Sequence, residues 1–438
     1  MDFASSTDPA VQAQLDLLWA LSPGADILGL SRVTALLARL GDPHLRLPPV
    51  FHVAGTNGKG STCAFLRAAL EADGKTVHVY TSPHLVRFNE RIRIAGRLIE
   101  DAALAPLLAR VLDEAEGIGA SFFEVTTAAA FLIFAETPAD ACVIEVGLGG
   151  RLDATNVIVD PAACGIAQLG IDHQAFLGDS AEGIAREKAG IAKPVRPLVT
   201  QSYPPAIAAA VAAAAGDVPL FAEGRDWSFT AEADAMRYTD RHGTLTTPDP
   251  ALTGMHQHAN LALAIAMLRH QGRVSVSPRA LEVAATTTRW PARMQRLADG
   301  PLYRRLPDGA EIWLDGGHNA AAALAVADAA TKAARGRPVH LILGMLANKD
   351  MAALIDAFAP LAASLTAVPV PNHEHHDPAA IARVGAGAGI ARTAVAGDVG
   401  AALDQISADE WNGPSLVLIL GSLYLAGEVL ALNDEAPD

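Results

Sequence analysis

Several things are scarce in this chain. Its 438 residues include three cysteines, Cys63, Cys142 and Cys164, in apolar or helical surroundings without C-x-x-C spacing. That argues against a disulfide framework and for reduced thiols in a core. Positive charge is short: 33 Lys and Arg against 48 Asp and Glu leave a net charge of −15, with no basic stripe or lysine-rich tail, which argues against a nucleic-acid-binding surface. Long apolar runs are missing as well. Ala206–Ala215 is too short to span a bilayer, and Leu416–Leu432 is interrupted by Gly421, Gly427 and Glu428. The start, Met1-Asp2-Phe3-Ala4-Ser5, has no basic segment followed by an apolar stretch, so no signal peptide is expected. A soluble cytoplasmic protein that touches no membrane is the expectation. Hydrophobic content of 51% against 18% charge supplies packed cores, and the length suggests roughly two or three domains.

What is present centres on Phe51-His52-Val53-Ala54-Gly55-Thr56-Asn57-Gly58-Lys59-Gly60-Ser61-Thr62. An apolar run from Pro49 to Ala54 predicts a strand, three glycines a turn, and an alanine-rich pattern from Thr62 to Ala72 a helix. Strand, glycine-rich turn and helix together form a phosphate cradle, in which freed backbone N–H groups and the helix N-terminus face an anion and Lys59 adds a cation. Ser61 or Thr62 could hold magnesium. The spacing departs from G-x-x-x-x-G-K-[ST], because Val53 replaces the first glycine and Gly60 separates Lys59 from the hydroxyl. A plain tight turn stays open on these residues alone.

Two helices are predicted over residues 8–40, with Ser31 as N-cap of the second. Strands at Thr76–Tyr80, Ala141–Val146, Pro161–Leu169 and Pro197–Thr200 alternate with helices at 99–117, 121–136, 180–191 and 205–215. Shorter strands run to Thr247 and a helix opens at Gly254-Met255-His256-Gln257. The alternation predicts an α/β fold with a doubly wound, mainly parallel sheet. Pro291, Gly300 and Pro301 mark a linker, giving a first domain over 1–296 and a smaller Rossmann-like α/β domain over 297–438. Polar clusters at 59–61, 82–84, 145–151 and 172–173 each fall at the carboxyl end of a predicted strand, where such sheets gather ligands.

Those clusters carry a resemblance. Gly55–Ser61, Thr81-Ser82-Pro83-His84-Leu85, Phe122-Phe123-Glu124-Val125-Thr126-Thr127 and Glu145–Asn156 resemble the folylpolyglutamate synthase / dihydrofolate synthase family, a branch of the Mur-type ligases. Asp172-His173, Glu187-Lys188-Ala189-Gly190-Ile191, Gly254…His256-Gln257…Asn260, Asp315-Gly316-Gly317-His318-Asn319 and Gly421-Ser422 extend it over residues 25–430. The family's own loop lacks the first Walker glycine, which accounts for Val53 and Gly60.

The resemblance implies an ATP-dependent ligase that adds L-glutamate to dihydropteroate, to folates or to both through an acyl phosphate. The rivals are a Mur-type ligase acting on a cell-wall nucleotide precursor and a non-catalytic P-loop regulator. It assigns Asn57, Gly58, Lys59, Gly60, Ser61, Asn260, Arg293, Asp315 and His318 to ATP. Ser61, Ser82, Glu145 and His173 go to magnesium, with Lys188, carbamylated, holding a second ion. Lys59, Glu145, His173 and Lys188 form the catalytic set. From the residues alone, Lys188 in Arg186-Glu187-Lys188 reads as a surface ion pair, whereas Glu145 ending an apolar strand points to function, because an unpaired buried carboxylate is costly. Leu28-Gly29-Leu30, Phe122-Phe123-Glu124 and Leu152-Asp153-Ala154 are assigned to the pterin, with ordinary helix core the bland alternative for either phenylalanine. ATP, magnesium and glutamate are the expected small-molecule partners of a monomer. The family more often has glycine and alanine where Ala292 and Gly317 stand here. Asn372-His373-Glu374-His375-His376-Asp377 matches no motif and is read as a solvated loop.

Overall fold

The computed structural model describes residues 6–21, 28–408 and 414–438. Its contacts divide the chain into two compact units, one up to Ala251 plus His256–Arg289, the other Trp290–Pro437 with Leu252–Met255. The second unit thus begins at Trp290, seven residues before the expected 297. The reason is local: β12 (Gln295–Arg296), ahead of the expected boundary, pairs with a strand of the second unit.

The first unit is built on eight strands: β1 (Val50–Ala54), β2 (Val77–Tyr80), β3 (Ile92–Ile94), β4 (Arg97–Leu98), β5 (Ala141–Glu145), β6 (Ala163–Ile166), β7 (Leu198–Thr200) and β8 (Leu220–Ala222). They lie in the order β4-β3-β2-β5-β1-β6-β7-β8, parallel from β2 to β8, with β3 and β4 added antiparallel at one border. The five residues of β1 and the five of β5 are all buried, as strands covered on both faces must be. The chain passes from β1 to β2 across β5, and from β5 to β6 across β1, so β1 lies at the crossing of the connections. The loops after β1, β2, β5 and β6 therefore leave the same edge of the sheet. The short strands near Thr247 form a separate antiparallel sheet of β9 (Trp227–Ala231), β10 (Ala235–Asp240) and β11 (Gly243–Pro248).

The helix Lys59–Ala72 starts three residues before the expected Thr62, because Gly58, left-handed at φ 82, turns the chain so that Lys59 is already helical. The second N-terminal helix, Ser31–Arg39, is not capped by Ser31. Leu30 holds the cap position at φ −99 and ψ −15, close to helical values, and makes no side-chain cap bond.

The second unit holds a six-stranded sheet, β12-β13-β17-β14-β15-β16, parallel except for β12. Its members are β13 (Glu311–Leu314), β14 (Val339–Leu343), β15 (Ala362–Ala367), β16 (Thr393–Val395) and β17 (Leu416–Leu420). The apolar stretch from Leu416 to Leu432 is β17 followed by the helix Leu423–Leu432, capped by Ser422. Among the described residues no helix is long and apolar enough to cross a membrane.

Gly165, in the middle of β6, shows how closely the helix Met255–Arg269 lies on the sheet. A Cβ there would stand 2.2 Å from Met267 Sδ. Gly165→Ala is expected to lower unfolding free energy by about 1–3 kcal/mol, read as a lower urea midpoint at unchanged slope.

Candidate active site

At the end of β1 the chain leaves through Gly55 and reaches Gly58. A Cβ on Gly58 would lie 2.3 Å from Asn260 Oδ1, so the position needs glycine for space as well as for its φ. The N–H groups of Lys59, Gly60 and Ser61 head a 14-residue helix without intrahelical acceptors, and the dipole places partial positive charge there. The loop is braced from β6: Thr56 and Asn57 both donate backbone N–H to the Gln168 carbonyl, at 2.8 and 3.2 Å. Asn57 Nδ2 donates to Gln168 Oε1 at 2.7 Å, and Thr56 Oγ1 to the Gly170 carbonyl at 2.9 Å. Asn260 is buried, donates to Gln257 Oε1 at 3.0 Å and lies 3.5 Å from Gln201 Nε2. Gln168, Gln201 and Gln257 thus shape the loop although no site assignment included them.

Glu145 ends β5 in register with Val53 of β1 and is buried. Its Oε2 accepts the backbone N–H of Ser82 at 3.3 Å, which brings two of the predicted metal-site residues together. Ser61 is buried in the first turn of the adjoining helix. His173 differs: it is exposed, left-handed at φ 53, and stands just before the short helix Gln174–Leu177.

Lys188 is no surface ion pair. It is 5% exposed, and its Nζ donates to the Gly55 carbonyl at 3.0 Å. Burial, helped by the nearby charge of Lys59, lowers its pKa to about 7 against the opposing pull of Asp172 and Asp153. The carboxylate beside it in sequence, Glu187, pairs with Arg151 at 2.8 Å. The turn after β5 makes this possible: a Cβ at Gly150 would lie 2.7 Å from the Glu187 carbonyl and 2.9 Å from Lys188 Cα. Arg151 N–H donates to that same carbonyl at 2.7 Å.

Among the described residues, no three His, Cys, Asp or Glu side chains converge as a metal cluster. The donors at the strand ends fit magnesium nevertheless. Hydroxyls and one carboxylate are hard oxygens, and magnesium fills the rest of its shell with water and substrate phosphate.

The residues assigned to the pterin separate. Phe122 belongs to the core, its ring 5.6 Å from Trp19 and 6.1 Å from Phe88. Phe123, half-buried, lies over Gly147, where a Cβ would stand 2.3 Å from the ring. Glu124 closes a capping box with Ser121: its Oε2 accepts the Ser121 N–H at 2.7 Å and Arg32 Nε at 3.0 Å, while Oε1 is buried without a hydrogen bond. Asp153 is drawn inward, accepting from Leu148 N at 2.8 Å and from Thr155 N and Oγ1 at 3.0 and 2.5 Å. Burial raises its pKa. Thr155 Oγ1 in turn accepts from His52 Nε2 at 2.8 Å. Leu30 packs against the core, and the space around Gly29 is open. Leu152 is half-buried and Ala154 buried.

In the second unit Asp315 directly follows β13 and is buried, accepting Met294 N–H and Gly317 N–H at 2.7 Å each. It ties the segment carrying Arg293 to the segment carrying His318. Arg293 lies between Ala292 at φ 53 and Met294 at φ 42. Ala292 therefore occupies a left-handed position that glycine would fill at lower cost. His318 Nδ1 donates to the Gly316 carbonyl at 3.0 Å. In the histidine-rich loop each ring holds a carbonyl: His373 that of Pro371 at 2.8 Å, His375 that of His373 at 2.7 Å, His376 that of Lys349 at 2.8 Å.

Because Gly150 meets backbone atoms that cannot rotate away, Gly150→Ala is expected to cost about 1–3 kcal/mol in denaturant unfolding. It should also expose Lys188 to amine-labelling reagents. Gly387→Ala, with open space around it, should change neither reading.

The chain is similar to several known proteins. Residues 293–423 match the family described as Mur ligase, glutamate ligase domain. Folylpolyglutamate synthase of Lacticaseibacillus casei is 34% identical over 358 residues, 78% of this chain and 81% of the relative. Dihydrofolate synthase/folylpolyglutamate synthase of Escherichia coli is 36% identical, covering 74% of each. Among solved structures, E. coli FolC in complex with DHPP and ADP superposes with a TM-score of 0.86 at 30% identity, covering 98% of both chains. A bifunctional folylpolyglutamate synthase/dihydrofolate synthase with Mn, AMPPNP and L-glutamate bound gives 0.83 at 29% identity, covering 98% of this chain and 99% of that one. At these identities and coverages the chain belongs to the folylpolyglutamate synthase / dihydrofolate synthase family.

Proposed function

We propose that the protein is an ATP-dependent ligase that joins L-glutamate to dihydropteroate, to reduced folates or to both, acting as a cytoplasmic monomer. The observation that carries this reading is the meeting at one sheet edge of the Lys59–Ser61 helix terminus, the Ser82–Glu145 pair and the buried Lys188 amine. The substrate carboxylate attacks the ATP γ-phosphorus, giving an acyl phosphate and ADP. The neutral amine of glutamate then attacks the acyl carbon, phosphate leaves, and the nitrogen loses a proton to complete the amide. The amides of Lys59, Gly60 and Ser61 and the Lys59 ammonium balance charge on the transferred phosphoryl group. Ser61, Ser82, Glu145 and the exposed His173 are the residues that would hold magnesium, which when bound neutralises phosphate charge. Asn57 and Asn260 keep the loop in shape, and Arg293, Asp315 and His318 serve the rest of ATP.

Lys188 would be carbamylated. Its pKa of about 7 leaves roughly half the side chains as neutral amine at neutral pH. That amine adds to carbon dioxide and releases a proton, and the resulting carboxylate would supply oxygens to a second magnesium ion. Phe123, Leu28–Leu30, Leu152 and Ala154 flank the pterin in this reading, with Phe122, Glu124 and Asp153 holding the walls.

Incubation with ATP, magnesium and L-glutamate should add one glutamyl residue to dihydropteroate, a ladder to tetrahydrofolate, or both, read by product mass. ATP hydrolysis without glutamyl transfer to either would overturn the proposal. Glu145→Gln should lower kcat about 100-fold or more. With 13C-labelled carbon dioxide, a carbamate resonance is expected at pH 8 and absent in Lys188→Ala. It should fade as pH falls through about 7, because protonation removes the attacking amine.

A further inference from the structure

The amino ends of β6, β7 and β8 carry a second concentration of charge. Ala162, Pro197 and Pro219, each just ahead of its strand, help line a cleft of about 400 Å3. Since these strands run parallel to β1, the cleft lies at the opposite edge of the sheet from the phosphate loop. Four arginines reach it, Arg196, Arg241, Arg269 and Arg273, on a protein whose net charge is −15.

Three of the four are held in place by carboxylates. Arg269 grips the buried Asp240 side chain with Nε and Nη2, at 2.9 and 2.8 Å. Arg273 takes the Asp160 carboxylate and carbonyl at 2.8 Å each, and Arg196 pairs with the same carboxylate. Four guanidiniums against two carboxylates leave two positive charges in excess. Arg241 is paired with no carboxylate among the described contacts and lies 5.2 Å above the Phe221 ring. His270 stacks on that ring at 4.3 Å. Its side chain is fully buried, and its Nε2 lies 3.5 Å from Asp240 Oδ2. The ligase chemistry uses none of these groups.

We propose that this cleft is a second anion site, taking an oligoanion in which charged groups follow one another along a chain, as in linked phosphates or γ-linked glutamyl carboxylates. Guanidinium forks match the oxygens of either group, and arginines already fixed by Asp160 and Asp240 lose little freedom on binding. Spaced cations suit a chain of charges over a single one. The glutamyl arm rests on the ligase reading; the phosphate arm does not.

The test measures binding without turnover, so its failure leaves the ligase reading standing. Lys59→Ala protein, whose phosphate loop lacks its cation, is titrated calorimetrically with inorganic triphosphate and, separately, with γ-linked tetraglutamate. The same titrations are run with Arg241→Ala and Arg241→Glu added. Arg241 contacts the Phe221 ring and His242 Nε2, at 3.1 Å, so its removal strands no buried carboxylate, and circular dichroism checks the fold. Saturable one-to-one binding of at least one probe is expected, tenfold or more weaker in Arg241→Ala and lost in Arg241→Glu. Binding of triphosphate alone assigns the site to phosphates, of tetraglutamate alone to carboxylates. No saturable binding of either, or binding that both Arg241 variants leave unchanged, overturns the proposal.

Discussion

The hydrogen bond from Lys188 Nζ to the Gly55 carbonyl fastens the helix Ala181–Ala189 to the point where β1 gives way to the glycine-rich loop. It forms in a place where an ammonium loses its hydration, and the same loss brings the amine toward neutrality. Everything around it is arranged to let backbones approach. Gly150 lets the turn after β5 lie on the helix, and Gly190 admits Arg151, whose Cβ would be 2.4 Å from a Cβ there. Arg151 and Glu187 then close the outside with their ion pair. Each glycine thus makes room for the close packing that buries Lys188 beside Gly55.

The carboxyl ends of β1, β2, β5 and β6 were legible in the sequence because chemistry there is written in residue types that are rare in a core: a lysine between glycines, a glutamate ending an apolar run. Other parts depend on direction, which composition does not encode. Phe122 and Phe123 are neighbours on one helix, about 100° apart around its axis, so one packs into the core and the other over Gly147. Gln168, Gln201 and Gln257 are braces whose value appears only when β6 and the helix Met255–Arg269 are placed beside the loop. Ser31 has the chemistry of a cap, but the chain is already near helical at Leu30. Ala292 shows the limit most plainly, since nothing in an alanine announces a left-handed backbone.

Asp153 and Asp315 follow a common logic in the two units. Each is buried at a strand-end turn and spends its oxygens on backbone N–H groups, two from the surrounding turn for Asp153 and two from separate segments for Asp315. A carboxylate used this way fixes loops that a hydrophobic residue could not, because loop amides need acceptors. Rigidity within each unit therefore comes in part from buried acids.

The eight-stranded sheet ends on one side at Arg97–Leu98, two residues long, and on the other at Leu220–Ala222, three residues long. Unpaired backbone at a sheet border is a template on which other chains can add strands and begin to aggregate. Borders this short present only a few unpaired groups, and arginine stands at one of them. A sheet with ten central residues buried in β1 and β5 is therefore blunt where neighbouring molecules could reach it, a form of protection that operates before any ligand is bound.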